Sequence, residues 1–281
     1  MKYFVIDNFI NKELCKKLID DSNSSSANKN DLLMHGNRAF LSSTSYEFNE
    51  LLNNSLDWQK LESKINSEEF LNLCLEKLNI KEHKFSLENY FKLKNHSRIH
   101  KLYKKISNTT NKFVPTKTLL KYTFIRLYRE IERRIKFSRF FYPNKKPVEL
   151  LYDFSKAGNG YSREIHRDSD NRVLVFLIYF NTPLTNDNQQ GGNFDIYKLI
   201  DDKKNVSKPD PSSCEMIKSI IPEAGKLVVF LNENNSFHGV TEMKNYSDFR
   251  YFVYGSFTML SQKNPHITNK SKSATEFHIY E

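Results

Sequence analysis

The sequence has little of what would mark it as fibrous, exported or membrane-embedded. Its 281 residues include eight Gly and eight Pro, too few for a collagen-like or low-complexity chain. Three cysteines, Cys15, Cys74 and Cys214, lie far apart, form no CxxC pair and cannot build a disulfide framework. A reducing, cytoplasmic setting is the expectation. The longest apolar run, Val173 to Phe180, is eight residues, well short of the roughly 18 that a membrane span needs. The opening Met1-Lys2-Tyr3-Phe4-Val5-Ile6 meets Asp7 before a signal-peptide core can form, so export is not expected.

What is there is charge and aromatic side chains. Lys and Arg number 43 against 33 Asp and Glu, a balance of +10. Hydrophobic residues make up 38% of the chain, above the disordered class, so one large domain or two small ones can bury a core. The positive balance suits an acidic partner. The chain is also rich in Lys, Asn, Ile, Phe and Tyr and poor in Ala, as AT-rich coding would produce.

Residues 3–6 read as a strand. Asn11 then caps a helix with Leu14, Leu18 and Ile19 on one face, and residues 22–30 read as a polar loop. Ser67-Glu68-Glu69 opens a second helix through Leu71, Leu75 and Leu78. Residues 80–116 are Lys-rich and irregular, with His83, His96 and His100 scattered among them. A long helix starts near Pro115. Leu120, Phe124, Leu127, Tyr128, Ile131 and Ile135 follow helical spacing, with Arg129, Arg133 and Arg134 mainly off the stripe, so it is expected to cover the core and turn a basic face to solvent.

After Pro147 short β-type runs appear at 149–154, 173–180, 193–199, 226–231, 237–243 and 250–258, separated by Gly, Asn, Asp and Pro clusters. Helices lead and strands follow. The fold class is therefore α+β, a jelly-roll core with N-terminal and flanking helices. The expected organisation is a supporting region at 1–148, the jelly roll at 149–260 and a polar tail at 261–281.

The strand-rich half offers two histidines before the tail. His166-Arg167-Asp168 is an HxD pair, and on a strand residues i and i+2 face the same way. His238 follows 72 residues later, in Ser236-Phe237-His238-Gly239-Val240. Two His and one carboxylate on one face of an octahedron leave open positions, the facial arrangement of non-haem Fe(II) oxygenases. HxD is short and recurs by chance, and a catalytic zinc can use the same donors. A hydrolytic zinc site would need a nearby base, and no HExxH is present.

Arg250 starts the last apolar strand, 12 residues after His238. A guanidinium inside a barrel asks for an anion, and the far carboxylate of 2-oxoglutarate is one that can take a bidentate contact. Pairing with Asp248 or Glu242 is the plainer alternative.

In order, the chain reads His166-Arg-Asp168, Arg172, Tyr179-Phe180-Asn181, Gly191-Gly192, Pro222-Glu-Ala-Gly225-Lys-Leu227-Val-Val-Phe230, His238 and Arg250. This resembles the catalytic core of the Fe(II)/2-oxoglutarate-dependent dioxygenases, most closely the prolyl 4-hydroxylase-like branch. The resemblance covers about 110 residues well, and Val5-Ile6-Asp7-Asn8-Phe9 with the following helix resembles the usual lead-in. It implies an enzyme that hydroxylates an unactivated C–H while oxoglutarate is decarboxylated to succinate and CO2. His166, Asp168 and His238 would bind Fe(II), Arg250 and Tyr179 the oxoglutarate, and O2 would be the second cosubstrate, with ascorbate as an accessory reductant. It also implies that Arg172 braces the metal loop rather than the ligand, that Tyr152, Asn159 or Tyr161 stands near the bound cosubstrate, and that Gly191-Gly192 makes a tight turn.

A peptide, with a peptidyl proline first, or a small metabolite or glycan precursor is the expected substrate, and neither nucleic acid nor a membrane the expected partner. A nucleic-acid demethylase would carry a second Arg six residues after Arg250, where this chain has Ser256. The rival from another class is a jelly-roll module that binds oxoglutarate or metal without turnover.

Overall fold

The computed structural model describes residues 1–24, 33–35, 37–90, 116–182, 190–200 and 207–268. Two β-sheets face each other, and helices cover the outer side of the larger one. The elements in chain order are β1 (Tyr3–Ile6), α1 (Lys12–Ser24), β2 (Leu33–His35), β3 (Arg38–Ser42), α2 (Tyr46–Asn54), α3 (Leu56–Ile65), α4 (Glu68–Lys77), β4 (Phe85–Leu87) and α5 (Thr116–Lys136). Strands follow: β5 (Lys146–Ala157), β6 (Arg163–His166), β7 (Arg172–Tyr179), β8 (Phe194–Leu199), β9 (Cys214–Ile220), β10 (Leu227–Leu231), β11 (Phe237–Val240) and β12 (Arg250–Met259).

The large sheet runs β1-β10-β7-β12-β5-β3-β2, antiparallel throughout, with β4 added parallel to β5. The small sheet runs β6-β11-β8-β9, also antiparallel. The α+β jelly-roll expectation holds. Strands β1 to β4, which precede residue 149, are hydrogen-bonded into the large sheet.

The run Val173–Phe180 is apolar at every position because β7 is buried on both faces. Leu174, Phe176, Ile178 and Phe180 point to the helices, whereas Val175, Leu177 and Tyr179 point between the sheets. On β10 the same parity sends Leu227, Val229 and Leu231 to the helices and Val228 and Phe230 inward. Gly255 on β12 leaves room for the Phe176 ring, which a Cβ there would meet at 2.3 Å.

Serines start the helices of the covering layer. The Ser45, Ser55 and Ser67 hydroxyls accept from the backbone N–H of Phe48, Trp58 and Phe70, satisfying donors that the first turn leaves free. Asn11 caps α1 as expected, its Oδ1 accepting from Leu14 N–H at 2.7 Å. Helix α1 continues through residues 22–24, where the polar composition suggests a loop. Trp58 is fully buried, and its indole N–H donates to the Leu18 carbonyl and to Ser22 Oγ, both at 3.0 Å, which ties α3 to α1.

One expectation about a helix fails. In α5, Phe124, Leu127, Tyr128, Ile131 and Ile135 are 66%, 54%, 62%, 48% and 61% exposed. The side chain of Leu120 lies outside the described residues. Tyr90 is buried beneath α5, and its hydroxyl donates to the Arg129 carbonyl and to Glu132. Phe137, just past the helix, is buried against Tyr90 and Leu260. At 100° per residue, positions 129, 133 and 137 lie opposite the apolar stripe. The helix is thus anchored by its polar side. Periodicity reveals that a stripe exists but not which way it turns.

Candidate functional site

Three side chains converge where β6 and β11 pair. The register sets His238 directly opposite His166, and their rings lie 4.4 Å apart, centroid to centroid. Asp168 sits two residues beyond the end of β6, with its Oδ2 3.5 Å from His238 Nε2. One ligand atom from each of His166, Asp168 and His238 lies within 4.8 Å of the others. The structure therefore brings together all three residues singled out in the sequence.

Local contacts fix how each ligand is presented. His166 Nδ1 is 2.8 Å from the Glu164 carbonyl, and His238 Nδ1 is 3.1 Å from the Ser236 carbonyl. A carbonyl only accepts, so each Nδ1 carries the proton and each Nε2 keeps its lone pair. Burial, with the neighbouring His238 second, holds His166 down at about 3, and burial also lowers His238. Both imidazoles are neutral at neutral pH, the form that binds a metal.

Asp168 is held differently at its two oxygens. Oδ1 accepts from Arg172 at 2.7 Å and from the Tyr254 hydroxyl at 2.6 Å, and Arg172 also donates to the Tyr254 oxygen. Oδ2 is buried and has no hydrogen-bond partner. Burial alone would raise this carboxyl, but Arg172, the two imidazoles and Tyr254 hold it well below the usual carboxylate range. A buried, ionised, unpartnered oxygen beside two imidazole lone pairs lacks a cation. The donor set fits one metal ion with open positions.

The loop carrying Asp168 is fastened to the turn before His238. Asn232, fully buried, donates to the carbonyls of Ser169 and Arg172, and its Oδ1 accepts from Ser236. Phe194 and Phe230 pack on the His238 ring at 5.4 and 4.6 Å. They wall that ligand off from water.

Arg250 is 2% exposed and points between the sheets. Its NH1 donates to the Gly192 carbonyl, while its Nε is buried without a hydrogen-bond partner. It pairs with neither Asp248 nor Glu242; Glu242 lies beside Lys244 instead. The rings of Phe252, Tyr161 and Tyr179 stand 5.3, 5.5 and 5.9 Å from its guanidinium carbon. Tyr179 is 1% exposed and sits opposite Phe252 in the register, so it shares the inner face with Arg250. Gly191 and Gly192 both adopt φ of +77°, and a Cβ on Gly191 would meet the Glu242 carbonyl oxygen at 1.8 Å. The expected tight turn is present, and it delivers the carbonyl that Arg250 holds.

Of the residues expected near the cosubstrate, Tyr161 lies beside the Arg250 guanidinium. Tyr152 packs edge-on to Phe48 in the helix-side core, because its parity on β5 turns it outward. Asn159 is exposed and accepts from Asn37 and Tyr246 in a surface turn. Arg172 pairs with Asp168, in the loop it was expected to brace. Tyr254 went unrecognised, although it stands four residues after Arg250 on the same strand face.

Residues 152–257 match the model of the 2OG-Fe(II) oxygenase superfamily. This segment of the chain, which carries the His-Asp-His cluster, belongs to that superfamily. Its chemistry is dioxygenation with Fe(II), 2-oxoglutarate and O2, and the His-Asp-His cluster gives this oxygenase the donors for it. No curated protein matches the sequence. Similar solved structures include a prolyl 4-hydroxylase of Pseudomonas putida, at 13% identity and TM-score 0.41 over 92% of both chains. Another is the viral collagen prolyl hydroxylase of Paramecium bursaria Chlorella virus-1, at 12% identity and TM-score 0.43, covering 92% of this chain and 96% of that one. A prolyl hydroxylase of Trichoplax adhaerens, solved with a peptide fragment, is similar at 11% identity and TM-score 0.43 over 92% and 83%. Likeness at this level carries no argument about substrate.

Proposed function

We propose that this oxygenase is a hydroxylase in which His166, Asp168 and His238 hold Fe(II), and Arg250 with Tyr179 receives the far carboxylate of 2-oxoglutarate. The observation that carries the reading is the buried, unpartnered Oδ2 of Asp168 facing His238. When bound, iron and oxoglutarate supply the oxidising equivalents that put a hydroxyl on a substrate C–H. The chain's own part is positioning and exclusion. The Glu164 and Ser236 carbonyls fix the histidine tautomers, and Arg172 and Tyr254 turn one oxygen of Asp168 toward the metal. The buried guanidinium of Arg250, ringed by Tyr161, Tyr179 and Phe252, offers its free Nε to an anion in a site from which water is largely excluded.

The organisation we propose is a catalytic jelly roll at 149–260, supported by 1–148 and followed by a polar tail. A peptidyl proline is the first substrate to test, chosen on the resemblance of the motif order to the prolyl 4-hydroxylase-like branch. Ascorbate belongs in the assay as an accessory reductant. Anaerobic Fe(II) titration with and without oxoglutarate should give a weak visible charge-transfer band only when both are present. Succinate release should then rise with one member of a panel of proline-containing peptides and small metabolites. If oxoglutarate produces neither the band nor any succinate, the site is a binding module rather than an enzyme.

A further inference from the structure

The outward stripe of α5 has no place in the oxygenase chemistry. Phe124, Leu127, Tyr128, Ile131 and Ile135 span about 16 Å at 1.5 Å per residue. Phe140 and Phe141, 86% and 60% exposed, extend the apolar surface just beyond the helix. The only hydrogen-bonding side-chain group among these seven residues is the Tyr128 hydroxyl.

The charge of this stretch of sequence is of one sign. Residues 116–146 hold ten Lys and Arg against two Glu, +8 of the chain's +10. Both Glu130 and Glu132 are already engaged, Glu130 by Arg133 and Arg134 and Glu132 by Tyr90. Arg134, Lys136, Arg139 and Lys145 are exposed in the same segment.

We infer that this face binds the surface of an anionic lipid bilayer. Basic side chains flanking a line of Phe, Leu, Tyr and Ile match a helix lying in the plane of the lipid headgroups, with its apolar side in the acyl boundary. A second copy of the chain would bring a like charge of the same size against the first. Nucleic acid would need cations, not Leu127, Ile131 and Ile135, along the centre of the face. A protein interface is expected to carry about one hydrogen bond per 100–200 Å², for which this stripe has almost no groups. A bilayer makes neither demand. Binding of this kind is peripheral; among the described residues no helix is long and apolar enough to cross a membrane.

The test is co-sedimentation of the full chain with phosphatidylcholine vesicles, alone or mixed with phosphatidylserine. Binding is expected on the mixed vesicles only, and it should weaken as salt is raised. The double variant Leu127→Gln/Ile131→Gln keeps the net charge, and its affinity for mixed vesicles should fall at least about tenfold. Its melting curve and its uncoupled oxoglutarate turnover should stay unchanged. The pair Phe140→Ser/Phe141→Ser, in the turn after the helix, should lower binding in the same way if the first variant proves unstable. Absence of binding to mixed vesicles overturns the inference, as does a Gln variant that binds like the wild type. So does a dimer in light scattering that the Gln variant dissolves, or single-stranded RNA binding that it abolishes, since either assigns the stripe to another partner.

Discussion

The hydroxyl of Tyr254 lies 2.6 Å from Oδ1 of Asp168 and leaves Oδ2, the oxygen nearer His238, without a partner. The two donors on Oδ1 fix the carboxylate plane before any metal arrives. Replacing Tyr254 by Phe removes one of them and leaves Arg172 as the sole donor to Oδ1. We expect Mn(II) or Co(II) affinity, read by calorimetry, to fall about 10–100-fold, the usual cost of losing a partner of a metal ligand. Equal affinity in Tyr254→Phe would show that Arg172 alone orients Asp168.

Arg250→Lys keeps the charge and loses the planar fork. Oxoglutarate binding should weaken by about 1.5–3 kcal/mol, roughly tenfold or more, while metal binding without oxoglutarate changes little. Arg250→Ala should remove oxoglutarate turnover at assay concentrations. Turnover at the wild-type rate would mean that another cation holds the cosubstrate.

The metal-free protein should be acid-sensitive. Half-buried His166 and buried His238 are both neutral, with folded values below the ordinary 6.5, and His166 reaches only about 3. Below 6.5 the unfolded chain binds protons that the folded one does not, so the stability of the neutral imidazoles is lost as pH falls toward 3. Asp168, also depressed, loses its share below the ordinary carboxylate range, in the same direction. Melting of the chelator-treated protein at pH 7.5, 6 and 5 should show a progressive drop, smaller in a His166→Gln variant.

Gly255→Ala tests the packing between β12 and β7. The added methyl would sit 2.3 Å from the fully buried Phe176 ring. Overpacking of this kind costs about 1–3 kcal/mol, measurable as a lower urea midpoint. An unchanged midpoint would mean that the ring has room to move.

Much of the jelly roll was legible because β7, β10 and β12 are dense in β-branched and aromatic residues and bounded by turn residues. The triad was legible from HxD and a distal His, and Arg250 from being a cation in an apolar strand. Helices α2 and α3 were passed over, although Ser45 and Ser55 announce them as Ser67 announces α4. Strand β9 gave no signal. It lies at the edge of the small sheet with five consecutive exposed residues, so nothing alternates. Tyr254 was hidden for another reason. A tyrosine in a strand is ordinary, and only its spacing of two residues from Phe252 and four from Arg250 puts it on the site face.

The order of strands in the large sheet has a consequence in time. Tyr3 of β1 is hydrogen-bonded in register with β10 at Phe230, and β5 finds its partner β12 about a hundred residues later in the chain. A ribosome therefore releases β1 long before the strand it must pair with exists. During that interval its edge has no native neighbour, and closure of the sheet waits for the last strands to be made. The iron site, whose ligands come from β6, the loop after it and β11, is assembled in the same late step. The site's donors can meet only once β11 has been made.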